Sequence, residues 1–510
     1  ERARAPLRDL NRTSIMERWV IVTLVTAGYL GLSLMIGWFS GRRASDTVTG
    51  YVAGDRGFGL LVMYFIMGAM IFSAFAFLGT PGWAYSRGGA AFYVLSYGVL
   101  GFAPWYVLGP RIARVGRAYG HVTQAELLSH RFQSTPLSVL IAIVSVVAFI
   151  PYIALQMKGA GIVFNAVTDG HVPIWVGAAA AYGVVLLYVL KSGVMGVGWT
   201  NTFQGMFMLV IAWVLGLWLP QHLYGGIGPM FERIADLRPE LLTVPGLNES
   251  GQPWSWGAYS SAVLVSAIGF TMWPHLFMKA FAAKDDRTLK LTAVLYPTFQ
   301  LFLLPLYFIA FAGVLFAVKP PAADFILPHM ILNTDVAPIV VGLFCAGALA
   351  ASMSTGDAML HASASIYVQD MHRKVFDREM DDHGRRRLIR VVAVIVGVIA
   401  YYIAVNTEMS LVALLLAAYG AVVQFAPITV AAFFWKRATP VGALTGLVVG
   451  SLITLLLRQF PGLRPLGIHE GICGLVVNCA LLVIVSLATR PMREDHVTSF
   501  IDVSQQAEQP

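Results

Sequence analysis

Ala350-Ala351-Ser352-Met353-Ser354-Thr355-Gly356-Asp357 lies inside a long apolar segment, and its reading decides what kind of molecule this is. On a helix Ala351, Ser354 and Thr355 fall at i, i+3 and i+4, so one carbonyl and two hydroxyls share a face and offer hard oxygens to a small cation. Asp357 follows three residues after Ser354, on an adjoining face. Hydroxyls in apolar helices ordinarily bond back to the preceding turn or across to a neighbouring helix. A carboxylate beside them shifts the balance, because an ionisable group inside a membrane is costly and usually functional.

Composition puts that segment in a bilayer. The 510 residues are 57% hydrophobic and 12% charged, with mean hydropathy +0.70, which is the composition of an integral membrane protein. Cys345, Cys473 and Cys479 sit in apolar surroundings and form neither a disulfide framework nor a metal spacing. The net charge of +8 is spread over short segments between apolar runs, as orientation signals are, and does not point to nucleic acid. No nucleophile–base pair, metal cluster or phosphate loop stands out, so the chain does not read as an enzyme.

Windows of about 20 apolar residues predict an all-α integral membrane protein with 13 transmembrane helices, the first centred near Leu30 and the last near Leu481. Residues 1–15 are a polar extension, and Met16 is the expected start of native translation. With the N-terminus outside, 23 of the 35 basic residues fall in inward segments, which predicts N-out and C-in. Segment 223–257 is then an outer loop, and 490–510 a disordered cytoplasmic tail. Several spans are interrupted: the second by Gly68, Gly79 and Pro81-Gly82, the seventh by Gly269 and Pro274, the eleventh by Gly420 and Pro427. The second and seventh are five spans apart, as in inverted-repeat transporters, whose substrate site lies where the first helix of each five-helix repeat unwinds.

The chain resembles the sodium/solute symporter family, in its bacterial monocarboxylate, pantothenate and proline permease branch. The resemblance rests on Phe77-Leu78-Gly79-Thr80-Pro81-Gly82 with Ala84-Tyr85, and on Gly198-Trp199-Thr200-Asn201-Thr202-Phe203-Gln204-Gly205. Trp273-Pro274-His275 with Ala282-Ala283-Lys284, and Ala351-Ser352-Met353-Ser354-Thr355 with Asp370, add to it. It implies the LeuT-type fold: one extra helix (16–45), two inverted repeats (56–222 and 258–435) and two C-terminal helices (436–489). It also implies a sodium ion held by the carbonyls of Ala69, Phe72 and Ala351 and the hydroxyls of Ser354 and Thr355. Proline symporters carry an Asp where this chain has Ile71, and many members carry one where it has Asn201. Asp357 and Asn201 are therefore expected at a second cation or proton position.

Trp273 and His275 are the expected substrate contacts at the second break, with Phe77, Gln156, Lys158, Tyr419 and Gln424 as further lining residues. Lys158 has two open fates, facing the ligand or snorkelling outward. Ala76 stands where sugar-transporting relatives have a Gln, which disfavours a sugar. The function this implies is import of a small organic monocarboxylate across the bacterial inner membrane by cation symport, sodium favoured over proton. Symport of an amino acid or pantothenate, and a non-transporting solute sensor, are the alternatives.

Overall fold

The computed structural model of the chain describes residues 5–43, 46–168, 170–376, 380–409 and 411–506, and among these it is all helix and connection, with no sheet. A bilayer offers backbone groups no water, and a helix satisfies them within the segment. Among the described residues nine helical stretches are long and apolar enough to cross a bilayer, or ten if the bent pair Leu60–Ile71 and Phe75–Phe102 is one span. The thirteen expected spans are not returned by length and apolarity alone. One reason is the stretch Ile174–Tyr224, whose 51 residues would run roughly 77 Å at 1.5 Å each, more than twice a hydrocarbon core. It is two helices meeting at Gly193, where φ is 54°. A Cβ there would stand 2.5 Å from the carbonyl oxygen of Tyr51, so the turn needs glycine. Another reason is the expected eleventh span, which is divided into Leu411–Val422 and Phe425–Phe434.

Both helices expected to be broken are broken. The first stops at Ile71 and resumes beyond Ser73, with a bend of 58°. The break falls earlier than Gly79 to Gly82, a stretch that is helical because Pro81 occupies the first turn of Thr80–Arg87, where its missing N–H costs nothing. The second break separates Trp256–Phe270 from Pro274–Ala282. Here Pro274 opens the second half, and Trp273 before it has the extended ψ of 121° that a following proline favours. The start of the first broken helix and the end of the second are tied together: Phe58 N–H donates to the Ala282 carbonyl at 3.0 Å, and Lys284 N–H to that of Phe58 at 2.9 Å.

The ends of the chain depart from expectation. The first helix runs Ala5–Ser40, so most of the polar extension belongs to it; residues 1–4 lie outside the described residues. The tail expected to be disordered forms the helix Glu494–Gln505. Val497, Phe500, Ile501 and Ser504 recur at i, i+3, i+4 and i+7 and bury one face, and Arg114 fixes it by donating to the Ser504 carbonyl at 3.0 Å. Segment 223–257 is likewise structured, with a helix Ile227–Leu237 and a return over the end of Thr80–Arg87, where Leu247 N–H meets the Arg87 carbonyl at 3.0 Å.

Candidate functional site

The helix Pro338–Ile366 carries Ala351, Ser354, Thr355 and Asp357, all buried. Ser354 Oγ donates to the Ala69 carbonyl at 2.8 Å, and Thr355 Oγ1 to the Met70 carbonyl at 2.9 Å. The Ala351 carbonyl lies 3.2 Å from the first hydroxyl and 3.5 Å from the second. Ala69, Ala351, Ser354 and Thr355 are thus brought together where the first broken helix ends. Phe72 takes neither hydroxyl: it ends the helix with ψ 72°, which turns its carbonyl out of the helical row, and its ring stacks on Phe299 at 5.3 Å. Met70, which no motif singles out, takes the second hydroxyl.

One turn further along, Asp357 sits in a nest of donors. Tyr188 Oη donates to its carboxylate at 2.6 Å, Thr200 Oγ1 at 3.3 Å and Asn201 Nδ2 at 3.2 Å. Asn201 and Asp357 are thus brought together, and Asn201 Oδ1 is left buried without a partner. Lys279 is only 2% exposed on Pro274–Ala282. Its register, five residues after Pro274, carries it into the core on the later half of the second broken helix.

Between the two breaks lies a closed cavity lined by Met70, Tyr97, Tyr152, Trp273, His275 and Tyr419, with about 10 Å³ of room, enough for one water. The Trp273 ring lies 5.0 Å from Tyr152 and 5.5 Å from Tyr419, and Tyr419 meets Tyr97 at 5.8 Å. His275 Nδ1 is buried without a partner. Trp273, His275 and Tyr419 thus line one cavity, together with Tyr97 and Tyr152, which no motif singles out. Gln156 stands at the edge of the break: its Oε1 accepts the otherwise unpaired Ala74 N–H at 2.9 Å, and its Nε2 is buried with no partner.

Three expected lining residues are elsewhere. Lys158 snorkels, its long stem taking the ammonium to the carbonyls of Thr407 at 3.1 Å and Met409 at 2.8 Å. Gln424 faces the C-terminal helices, donating to Thr454 Oγ1 at 3.2 Å and the Gly471 carbonyl at 3.0 Å. Phe77 points into an aromatic cluster with Phe302 at 5.9 Å and Phe344 at 5.6 Å. Met70 joins the two halves of the site, its carbonyl taking a hydroxyl of the cation constellation while the residue lines the cavity.

The model of the Sodium:solute symporter family matches residues 51–450. The chain belongs to that family. Membership makes it a multi-pass membrane symporter with sodium as the coupling ion. An uncharacterized symporter of Bacillus subtilis, YhjB, is 29% identical over 92% of this chain and 97% of its own length. The high-affinity proline transporter PutP of the same organism is 27% identical over 92% and 98%. Among solved structures, that of a Na+-coupled sialic acid symporter in its substrate-bound outward-open state superposes with a TM-score of 0.79, at 19% identity, over 93% of this chain and 99% of that one. The transporter MhsT, solved with L-phenylalanine, superposes with a TM-score of 0.53 at 15% identity over 85% and 98%. The symporter thus has the LeuT-type fold.

Proposed function

We propose that this sodium-coupled symporter imports a small organic monocarboxylate across a bacterial inner membrane, N-terminus outside and C-terminus in the cytoplasm. The observation that carries the reading is His275 Nδ1, buried without a partner on a residue that lines a cavity with three tyrosines and no carboxylate. Such a site has a donor for a substrate anion and no acidic group to pair with a substrate ammonium. The N-terminus of Pro274–Ala282 adds its dipole in the same sense. The small cavity supports a substrate of few atoms that opens the site as it binds.

Sodium takes the carbonyls of Ala69, Phe72 and Ala351 and the hydroxyls of Ser354 and Thr355, with Met70 a neighbouring sixth oxygen. On binding, the hydroxyls exchange their hydrogen bonds to the first broken helix for contacts to the ion, which alters the break that also lines the cavity. Asp357 with Asn201 supplies the negative field behind that position. An amino acid is the second reading, supported by relatives named as proline transporters. Proteoliposomes loaded without sodium and diluted into it separate the two: uptake of labelled lactate or propionate, uncompeted by proline, is expected. Sodium-driven uptake of proline with no carboxylate uptake would overturn the monocarboxylate assignment.

A further inference from the structure

We propose that a hollow between the first helix, the turn at Gly193 and the start of Asp382–Asn406 binds the phosphate of an anionic phospholipid headgroup. The hollow, about 380 Å³, is lined by Arg42, Lys191, Arg386 and Arg390, with Asp46 as its one carboxylate among the described residues. Asp46 is 99% exposed and meets only Arg386, at 2.7 Å. Four cations against one solvated carboxylate leave the hollow strongly positive.

The cations are held in place without being neutralised. The Arg42 guanidinium lies over the Phe39 ring at 4.5 Å, and Lys191 Nζ over the Trp38 ring at 5.3 Å. Arg386 and Arg390 each keep a buried Nε–H with no acceptor. Buried donors are nearly always paired, so two of them in one basic hollow point to an acceptor that arrives from outside.

The surroundings say which acceptor. Met35, Trp38 and Phe39 on the first helix are exposed, as are Val391, Val394, Ile395 and Val398 on Asp382–Asn406. These exposed apolar residues adjoin the lining cations along their own helices, Phe39 three residues before Arg42 and Val391 next after Arg390, so the phosphate site borders a surface suited to acyl chains. A diacyl phosphate uses both parts; a free phosphate uses only the charges. Basic pockets between helices on the face that carries the positive loops are where anionic headgroups bind, each cation contributing roughly fivefold in affinity.

The test counts lipids retained by the purified full chain in native mass spectrometry, titrated with phosphatidylglycerol, phosphatidylcholine or inorganic phosphate. Wild type is expected to retain phosphatidylglycerol over phosphatidylcholine, and inorganic phosphate is expected not to displace it. Lys191→Gln with Arg390→Gln should weaken that retention by about tenfold or more. Arg42→Gln, at an exposed position where folding is not at stake, should weaken it by a few-fold. Equal retention of the two lipids, wild-type retention in both variants, or displacement by inorganic phosphate would each overturn the lipid assignment.

Discussion

One turn apart on the helix Pro338–Ile366, two polar regions are built on opposite principles. At Ser354 and Thr355 every oxygen is neutral, and the hydroxyls reach both the end of a broken helix and the Ala351 carbonyl of their own. At Asp357 the oxygens are charged and the donors come from both sides of the Gly193 turn, Tyr188 before it and Thr200 and Asn201 after it. The first region can exchange its hydrogen bonds for a cation at little cost, because neutral hydroxyls rotate and carbonyls keep a second lone pair. The second clamps two helices to a third, and an uncompensated buried charge is the penalty for opening it. Reversible binding and a fixed field are thus separated on one helix.

The largest effect expected breaks the clamp. Asp357→Leu removes the carboxylate and leaves the buried donors of Tyr188, Thr200 and Asn201 without their acceptor, which should destabilise the fold by about 1–3 kcal/mol for each donor stranded. A single variant as stable as wild type would show that Asp357 is not holding these helices.

Next comes the exchangeable region. Ser354→Ala with Thr355→Ala takes away two of the proposed ligands and should weaken apparent sodium affinity by at least about tenfold, or ~1.4 kcal/mol. Melting temperature without sodium should change far less than in Asp357→Leu. If the double variant keeps its sodium dependence in proteoliposome uptake, the cation is held elsewhere.

A smaller effect is expected in the cavity. His275→Ala removes a donor already without a partner, so it should cost little stability while raising the half-saturating solute concentration by roughly fivefold, about 1 kcal/mol of solute binding. An unchanged half-saturation would return His275 to packing.

Lys158→Met should do least of all. It loses two bonds to the Thr407 and Met409 carbonyls, worth on the order of 0.5 kcal/mol, and should leave the half-saturating concentration untouched in the same uptake assay. A rise comparable to that of His275→Ala would mean that the lysine reaches the solute during the cycle.

The amino-acid order by itself determined that the chain lives in a bilayer, that its second and seventh spans are broken, and that Ala351, Ser354 and Thr355 share a face. Each of these follows from local chemistry: apolar length, proline and the helical repeat. Where the first break falls was not legible, because Ile71-Phe72-Ser73 contains no breaker and is opened by Gln156, 82 residues from the Ala74 amide it accepts. The same limit hid Met70, since which of two successive carbonyls meets a hydroxyl depends on how two helices cross. Lys279 and Lys158 show the same limit: the first, which no motif singles out, is buried, and the second, for which facing the ligand and snorkelling were both open, reaches the carbonyls of Thr407 and Met409. A long flexible side chain goes where tertiary packing leaves it an acceptor or a counter-charge, and only the assembled helices decide where that is.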